Sequence, residues 1–552
     1  MRATFFCVSL PKRARGSKGV SARVIRQRQF CLERHESCDV LFVLLAACLA
    51  YLPAAVQGGW FSDDYVLVYG LEDQAPAWTD SIRMGGAGRL SVARLLCYPF
   101  IGYLGEWLGP QLSHVLALFL HLLCGSILYL LLRRLSWSHR LAVTAIFLFL
   151  LAPWAAQPVV WWSAVCTTVS SILMLLAVHA FVTWYPGRSS RTWLIVSQVL
   201  IFIAFLFYEL WLGSFVLFWM LGFYLERRTR IAGGHRSTWS ELLRRATRRS
   251  WPVILPYIFW GILLIATLTF ETGIRAPHTS ILRIPVTFLS IHLRVYHWFF
   301  DTPWFSGIST GWNGLLTPIG LVCLACMVIF LVIGRSLKKK WGGQLNDSLY
   351  RTPPDIMDMV LVAWGIFLGS RLVFILQGGV STHTRHSYGA AMGFAIAASW
   401  LFWRLWDGCE SRVALRRVVS AFAIVIAVVL VTTTSGLALH AAYVAKAEQY
   451  TLDLLRFELA QLPVDRNILI VGDATGTRGE MSYYQEESGW WLEYRLRHVL
   501  TGRRVYVLED IPPRSTLARL LRSGKEEFLR LDRASVFHWR GGELKQELLV
   551  HQ

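Results

Sequence analysis

The sequence predicts an all-α polytopic membrane protein of about eleven spans, followed by a small α/β domain outside the membrane. Three observations lead there. The 552 residues are 55% hydrophobic and only 16% charged, against about 25% charged in ordinary soluble domains, and mean hydropathy is +0.44. Apolar runs close to the length of a spanning helix recur along the chain. The net charge of +20 is gathered in short basic segments between those runs, a topology signal rather than a nucleic-acid footprint. The 25 Trp, 19 Tyr and 31 Phe suit aromatic belts at both interfaces. The 10 cysteines lie mostly in the N-terminal tail or inside apolar spans. Cys323 and Cys326 stand alone, so neither a disulfide framework nor a zinc site is expected.

Residues 1–38 are basic, with no acidic residue before Glu33. They read as a cytoplasmic tail without fixed structure, which holds the start of the first span (40–56) inside. The loop 57–109 then lies outside, and its balance is acidic (Asp63, Asp64, Glu72, Asp73, Asp80, Glu106 against Arg83, Arg89, Arg94). Its part from 89 to 107 has helical spacing and reads as an interfacial helix. The second span, 111–132, ends at Arg133-Arg134. A short third span covers 141–151 and stops at Ala152-Pro153-Trp154, and the fourth covers 159–182. The apolar stretch 193–225 is too long for one helix and splits near Tyr208-Glu209. The basic loop from Arg227 to Arg249 must be inside. Span 251–270 goes out, 271–310 is an external loop with an amphipathic piece at 282–300, and 312–333 returns to Lys338-Lys339-Lys340. Spans 356–376, 389–402 and 418–439 complete the membrane domain, 39–440. Every basic cluster then faces one side, and the alternation works only with the split at Tyr208-Glu209.

Residues 441–552 read as a soluble extracytoplasmic domain. Strands are expected at 467–471 and 504–508, helices at 491–500 and 515–522, and a hairpin at 535–539 and 544–549 around Gly541-Gly542. The Gly472-Asp473 turn lacks a dinucleotide fingerprint.

The chemistry on the outer side centres on Asp63 and Asp64. Two carboxylates at a membrane boundary point to a site; the alternative is a solvated turn in which Ser-Asp-Asp caps a short helix. Arg89 suits a phosphate, or the snorkelling of its guanidinium to lipid headgroups. His114 and His121, seven apart, share a helix face and read as packed, hydrogen-bonded core residues or as catalytic groups. Glu209 at a membrane-embedded turn is a site residue or half of a salt bridge. His383, Arg385 and His386, followed by Tyr388, form an external basic cluster suited to phosphate, with Arg385 foremost. A lipid-linked phosphosugar would use this set: chain in the bilayer, phosphate on arginine, sugar on aromatic rings, acceptor hydroxyl on a carboxylate base.

Phe61-Ser62-Asp63-Asp64-Tyr65 after the first span resembles the first-loop acidic motif of polytopic GT-C glycosyltransferases. The branch it resembles most is that of protein O-mannosyltransferases and their bacterial lipid-sugar-modifying relatives. Arg89-Leu90-Ser91, Gly105, Gly109-Pro110, His114 and His121 resemble that branch's run into the second span. Pro153 with Gln157-Pro158-Val159-Val160-Trp161-Trp162-Ser163 resembles its next outer segment, and Tyr208-Glu209 its later outer helix turn. The likeness covers about the first 225 residues. Leu90, Ala117, Gln157 and Tyr208 depart from its usual proline, asparagine, glutamate and lysine.

The resemblance implies a GT-C core in a bacterial cell membrane. It implies inverting transfer of a hexose or pentose from a polyprenyl-phosphate donor to a lipid, glycan or protein acceptor on the extracytoplasmic face. It makes Asp63 the base or a metal holder, with Asp64 its nearest rival. Two carboxylates are few for Mg²⁺ or Mn²⁺, so no cofactor is expected. The competing classes are a lipid-linked oligosaccharide flippase, disfavoured by the scarcity of deep charges and of repeat symmetry, and a noncatalytic scaffold.

Overall fold

The computed structural model describes residues 22–60, 64, 96–186, 190–233, 238–270, 316, 321, 325, 354–376, 387–409, 411–460, 467–472, 505–508, 534–540 and 543–547. The chain is a membrane protein built from packed apolar helices. Among the described residues four helices are long and apolar enough to cross a bilayer: Glu36–Gln57, Phe100–Arg134, Trp162–Trp184 and Val413–Ala442.

Helix α1 (Ala22–Gln57) begins inside the stretch expected to lack structure. Helix α2 (Cys97–Arg134) is broken at Gly109, whose φ of 71° and ψ of 173° leave the helical region. Glycine bears that φ without strain, and Pro110 can restart a helix because its missing N–H would have no partner there. The break falls between the expected interfacial piece and the second span. A tight turn follows, with Ser136 at φ 65°. It is closed by Arg133, which donates to the Trp137 carbonyl at 2.9 Å, and by the Tyr224 hydroxyl, which donates to the Leu135 carbonyl at 2.5 Å. Ser138 then caps α3 (His139–Leu150) by accepting from the Leu141 N–H.

The chain next departs from expectation. The span expected from 159 does not start there. Residues 153–164 form a 3₁₀ turn (Pro153–Ala155), a single helical turn α4 (Gln157–Val160) and another 3₁₀ turn (Trp162–Ala164), with Trp161 extended between the last two. Only then does α5 (Val165–Trp184) begin. Gln157, Val159, Val160, Trp161, Trp162 and Ala164 are all buried. Irregular backbone at membrane depth survives only where protein surrounds it, and this connector is lodged between α1, α2 and the last long helix.

Helix α6 (Thr192–Phe207) ends at Tyr208, which is extended. A 3₁₀ turn (Glu209–Trp211) leads to α7 (Ser214–Gly233), so the apolar stretch divides at the expected place. Helix α8 (Trp239–Ser250) lies at the basic end, and a 3₁₀ turn (Trp251–Ile254) leads into α9 (Leu255–Phe270). Helix α10 (Ile356–Met359) passes through a π turn (Val360–Trp364) into α11 (Gly365–Leu376). Helix α12 is Tyr388–Gly408. Helix α13 (Val413–Ala460) continues well past the apolar run expected to end at 439. Close approach of α11 to α7 rests on small residues: a Cβ on Gly369 would meet Ser214 Cα at 3.2 Å.

Ion pairs gather at one end of the bundle. Arg133 pairs with Glu36 (3.0 Å) and Arg249 with Glu226 (3.0 Å), and His139 Nε2 is hydrogen-bonded to the Asp39 carboxylate at 3.2 Å. Arg227 binds both Asp355 and Asp358, and Arg228 reaches Asp358 at 3.3 Å. The start of α1, the end of α2, the start of α3, the end of α7 and the start of α10 thus share one end, as alternating spans require.

Four strands occur in the tail: β1 (Asn467–Gly472), β2 (Val505–Leu508), β3 (Ala534–Arg540) and β4 (Glu543–Glu547). They form one sheet in the order β2-β1-β3-β4. β1 is parallel to both neighbours, and β3 pairs antiparallel with β4. The helices expected at 491–500 and 515–522, the external loop 271–310 and the span 312–333, save isolated residues, lie outside the described residues.

Candidate functional site

The end opposite the ion pairs collects the C-terminus of α1, the start of α2, the connector 153–164, the turn Glu209–Trp211 and the start of α12. Asp64 is fully buried there, and its Oδ1 accepts a hydrogen bond from the Ser163 backbone N–H at 2.6 Å. A carboxylate out of water is costly unless hydrogen-bonded, and a bond from a backbone donor to an ionised oxygen is among the stronger ones. Asp64 therefore fastens the first loop to the connector.

His114 holds the same junction from the other side. Its Nε2 is 3.1 Å from the Gly59 carbonyl and its Nδ1 3.4 Å from the Val159 carbonyl. A neutral imidazole has one N–H, so it donates to the nearer carbonyl, that of Gly59. The position next to Gly59 is equally constrained, because a Cβ on Gly58 would lie 2.6 Å from His114 Cδ2. Trp60, buried beside His114 with ring centroids 6.3 Å apart, also meets Trp162 at 6.5 Å. Trp162 donates its Nε1–H to the Ile101 carbonyl at 2.9 Å and stacks on Phe100. The result is a rigid aromatic wall next to a buried carboxylate.

His121 stands one layer deeper. Its Nε2 lies 3.1 Å from the Leu150 carbonyl and its Nδ1 2.7 Å from the Tyr388 hydroxyl. One neutral tautomer satisfies both contacts: Nε2–H donates to Leu150, and Nδ1 accepts from Tyr388. Both His121 and Tyr388 are fully buried. His121 thus caps a carbonyl at the end of α3, as Thr434 does for Leu151 at 2.8 Å. Tyr388 ties α12 to α2.

Arg371 was not singled out by sequence, because it sits inside an expected span. It is 3% exposed, and its guanidinium donates to the Ser387 hydroxyl. The neighbouring Ser370 packs where a Cβ on Gly389 would fall, beside Trp211. A buried arginine within an apolar helix was itself a readable signal, since such a charge is retained for a reason.

Of the residues proposed from sequence, Asp64, His114, His121 and Tyr388 are placed at this end. Glu209 begins the 3₁₀ turn before Trp211; its side chain is outside what is described. Asp63, Arg89, His383, Arg385 and His386 lie outside the described residues. Among the described residues no group of three or more His, Cys, Asp or Glu could hold a metal.

No family model matches the chain, and no curated protein matches it. Among solved structures, the apo crystal structure of ArnT from Cupriavidus metallidurans aligns over 90% of this chain and 92% of that one, at 16% sequence identity and a TM-score of 0.33.

Proposed function

We propose that this chain is a membrane glycosyltransferase of GT-C type, with about eleven spans. It takes a sugar from a polyprenyl-phosphate donor and gives it to a lipid, glycan or protein acceptor on the face away from the basic loops. The observation that supports this reading best is the buried Asp64 carboxylate fixed to the Ser163 N–H beside Trp60 and Trp162. A carboxylate-bearing first loop is thereby latched onto an aromatic, membrane-depth connector.

In this reading the two aspartates divide the work. Asp64 is engaged by the connector and orients the loop. Asp63, its neighbour, is the base that removes the acceptor hydroxyl proton as the sugar carbon–phosphate oxygen bond breaks, a contribution of about 10²- to 10⁴-fold. Fixed positive charge stabilises the departing phosphate. Arg385 and Arg89 are the sequence candidates for that role, and Arg371 joins them as a buried cation beside Ser387. The test is transfer of radiolabelled sugar from a polyprenyl-phosphate donor in membranes carrying the protein, together with comparison of lipid-linked and wall glycans with and without it. Transfer that depends on the chain supports the reading. Unchanged glycans together with no transfer from any such donor would overturn it.

A further inference from the structure

Helix α8 carries a feature that sugar transfer at the opposite end does not use. Leu242, Ala246 and Ser250 form its buried stripe. On one flank the charges are paired: Arg245 with Glu241, and Arg249 with Glu226 at 3.0 Å. On the face turned away from that stripe Arg244 and Arg248, one helical turn apart, have no acidic partner among the described residues. With Ser240, Leu243, Thr247 and Trp251 they line an open, shallow groove along the exposed face of the helix.

The groove joins positive charge to bare apolar surface. Leu243 is 43% exposed and Trp251 65% exposed. Trp219 reinforces the wall by donating its Nε1–H to Thr247 at 3.0 Å. Immediately beyond Trp251, α9 exposes Leu255, Ile258, Phe259 and Ile262, the kind of surface that faces acyl chains. An amphipathic basic helix with tryptophan at its apolar margin lies in the headgroup plane. Two arginines without carboxylate partners among the described residues offer forked donors that fit phosphate oxygens.

We infer that the Arg244–Arg248 groove is a binding site for the phosphate headgroup of an anionic phospholipid in the leaflet at the basic end of the bundle. The lipid is a ligand of the fold, distinct from any donor or acceptor of the transfer reaction. The charge of the groove selects the headgroup, and Leu243 and Trp251 take the start of the acyl chains.

The full chain in detergent, titrated with short-chain phosphatidylglycerol, phosphatidylcholine and inorganic phosphate and read by native mass spectrometry, tests this. Wild type should retain phosphatidylglycerol at least about 10-fold better than phosphatidylcholine. The Arg244→Gln/Arg248→Gln pair should lose about 30-fold, in line with the worth of two basic residues at an anionic surface, and Arg244→Lys/Arg248→Lys should keep most of the selectivity. Equal retention of both lipids by wild type would overturn the assignment whether or not the variants fold. So would an Arg244→Gln/Arg248→Gln protein that binds as wild type does, or displacement of the lipid by inorganic phosphate at equal concentration.

Discussion

Replacing Asp64 by alanine should open the connector. Asp64 is fully buried, and its Oδ1 lies 2.6 Å from the Ser163 nitrogen. Hydrogen bonds to charged groups contribute on the order of 1.5–3 kcal/mol net, and stranding the Ser163 N–H adds a desolvation cost of about 1–3 kcal/mol. Removing a buried carboxylate also relieves its own burial cost, so a net local loss of about 2 kcal/mol is expected. That corresponds to an opening equilibrium about 30-fold more favourable. Asparagine keeps an acceptor oxygen but not the charge, so Asp64→Asn should lose roughly half as much, about 5-fold. Hydrogen–deuterium exchange of peptides spanning 161–165 reads the effect directly. Exchange should quicken in the order wild type, Asp64→Asn, Asp64→Ala, with peptides from α3 unchanged. Wild-type exchange in Asp64→Ala would refute the latch.

Four further outcomes follow from other positions. Tyr388→Phe removes the proton that His121 Nδ1 accepts at 2.7 Å, and the stranded buried nitrogen should cost about 1–3 kcal/mol, seen as a lower unfolding temperature in detergent. Gly393→Ala places a Cβ 2.4 Å from the Ala363 carbonyl oxygen and should cost about 1–3 kcal/mol through overpacking. Gly109→Ala meets nothing within 4 Å among the described residues, yet it should also cost about 1–3 kcal/mol, because φ 71° with ψ 173° is a backbone conformation essentially confined to glycine; the two unfolding temperatures compare steric and backbone strain. At Asp355, burial pushes the carboxyl up, but the hydrogen bond and charge of Arg227 outweigh it and hold the group below its ordinary value. Its stabilisation is therefore full above about pH 4 and is lost as pH falls through the lower folded value. The gap in unfolding temperature between wild type and Asp355→Asn should narrow on acidification from pH 6 to 3.

Apolar length and punctuation carried much of the fold. The split at Tyr208-Glu209 was legible because the apolar stretch is too long for one helix and the alternation of basic loops needs two, and the break at Gly109-Pro110 because both residues disfavour a continued helix. The first three tail strands were legible as short runs of β-branched and aromatic residues, and the fourth from the Gly541-Gly542 turn that precedes it. The connector was not, because residues 153–164 are as apolar as a span, and hydropathy measures burial rather than direction. Pro153 and Pro158 marked the irregularity, yet only packing against α1, α2 and α13 shows that it is buried in protein. The continuation of α13 to Ala460 was missed for the opposite reason. Its last two turns and more lose apolar character, but Ala, Lys, Glu, Gln and Leu without Gly or Pro keep the helix going. At the candidate site, sequence order brought Asp64 and His114 forward. It could not reveal that His114 holds the Gly59 carbonyl, that His121 caps α3, or that Arg371 faces Ser387, since those partners lie up to 55 residues apart for His114 and across different helices for the others.

The division of labour between the adjacent aspartates is the centre of the functional account, and one comparison tests it most directly. Sugar transfer from a polyprenyl-phosphate donor would be measured in membranes for wild type, Asp63→Asn and Asp64→Asn, with exchange at 161–165 followed in parallel. The account predicts that Asp63→Asn loses about 10²-fold or more in rate while the connector exchanges as in wild type, and that Asp64→Asn loosens the connector and loses activity with it. Full transfer by both variants, or a loosened connector in Asp63→Asn rather than Asp64→Asn, would contradict it.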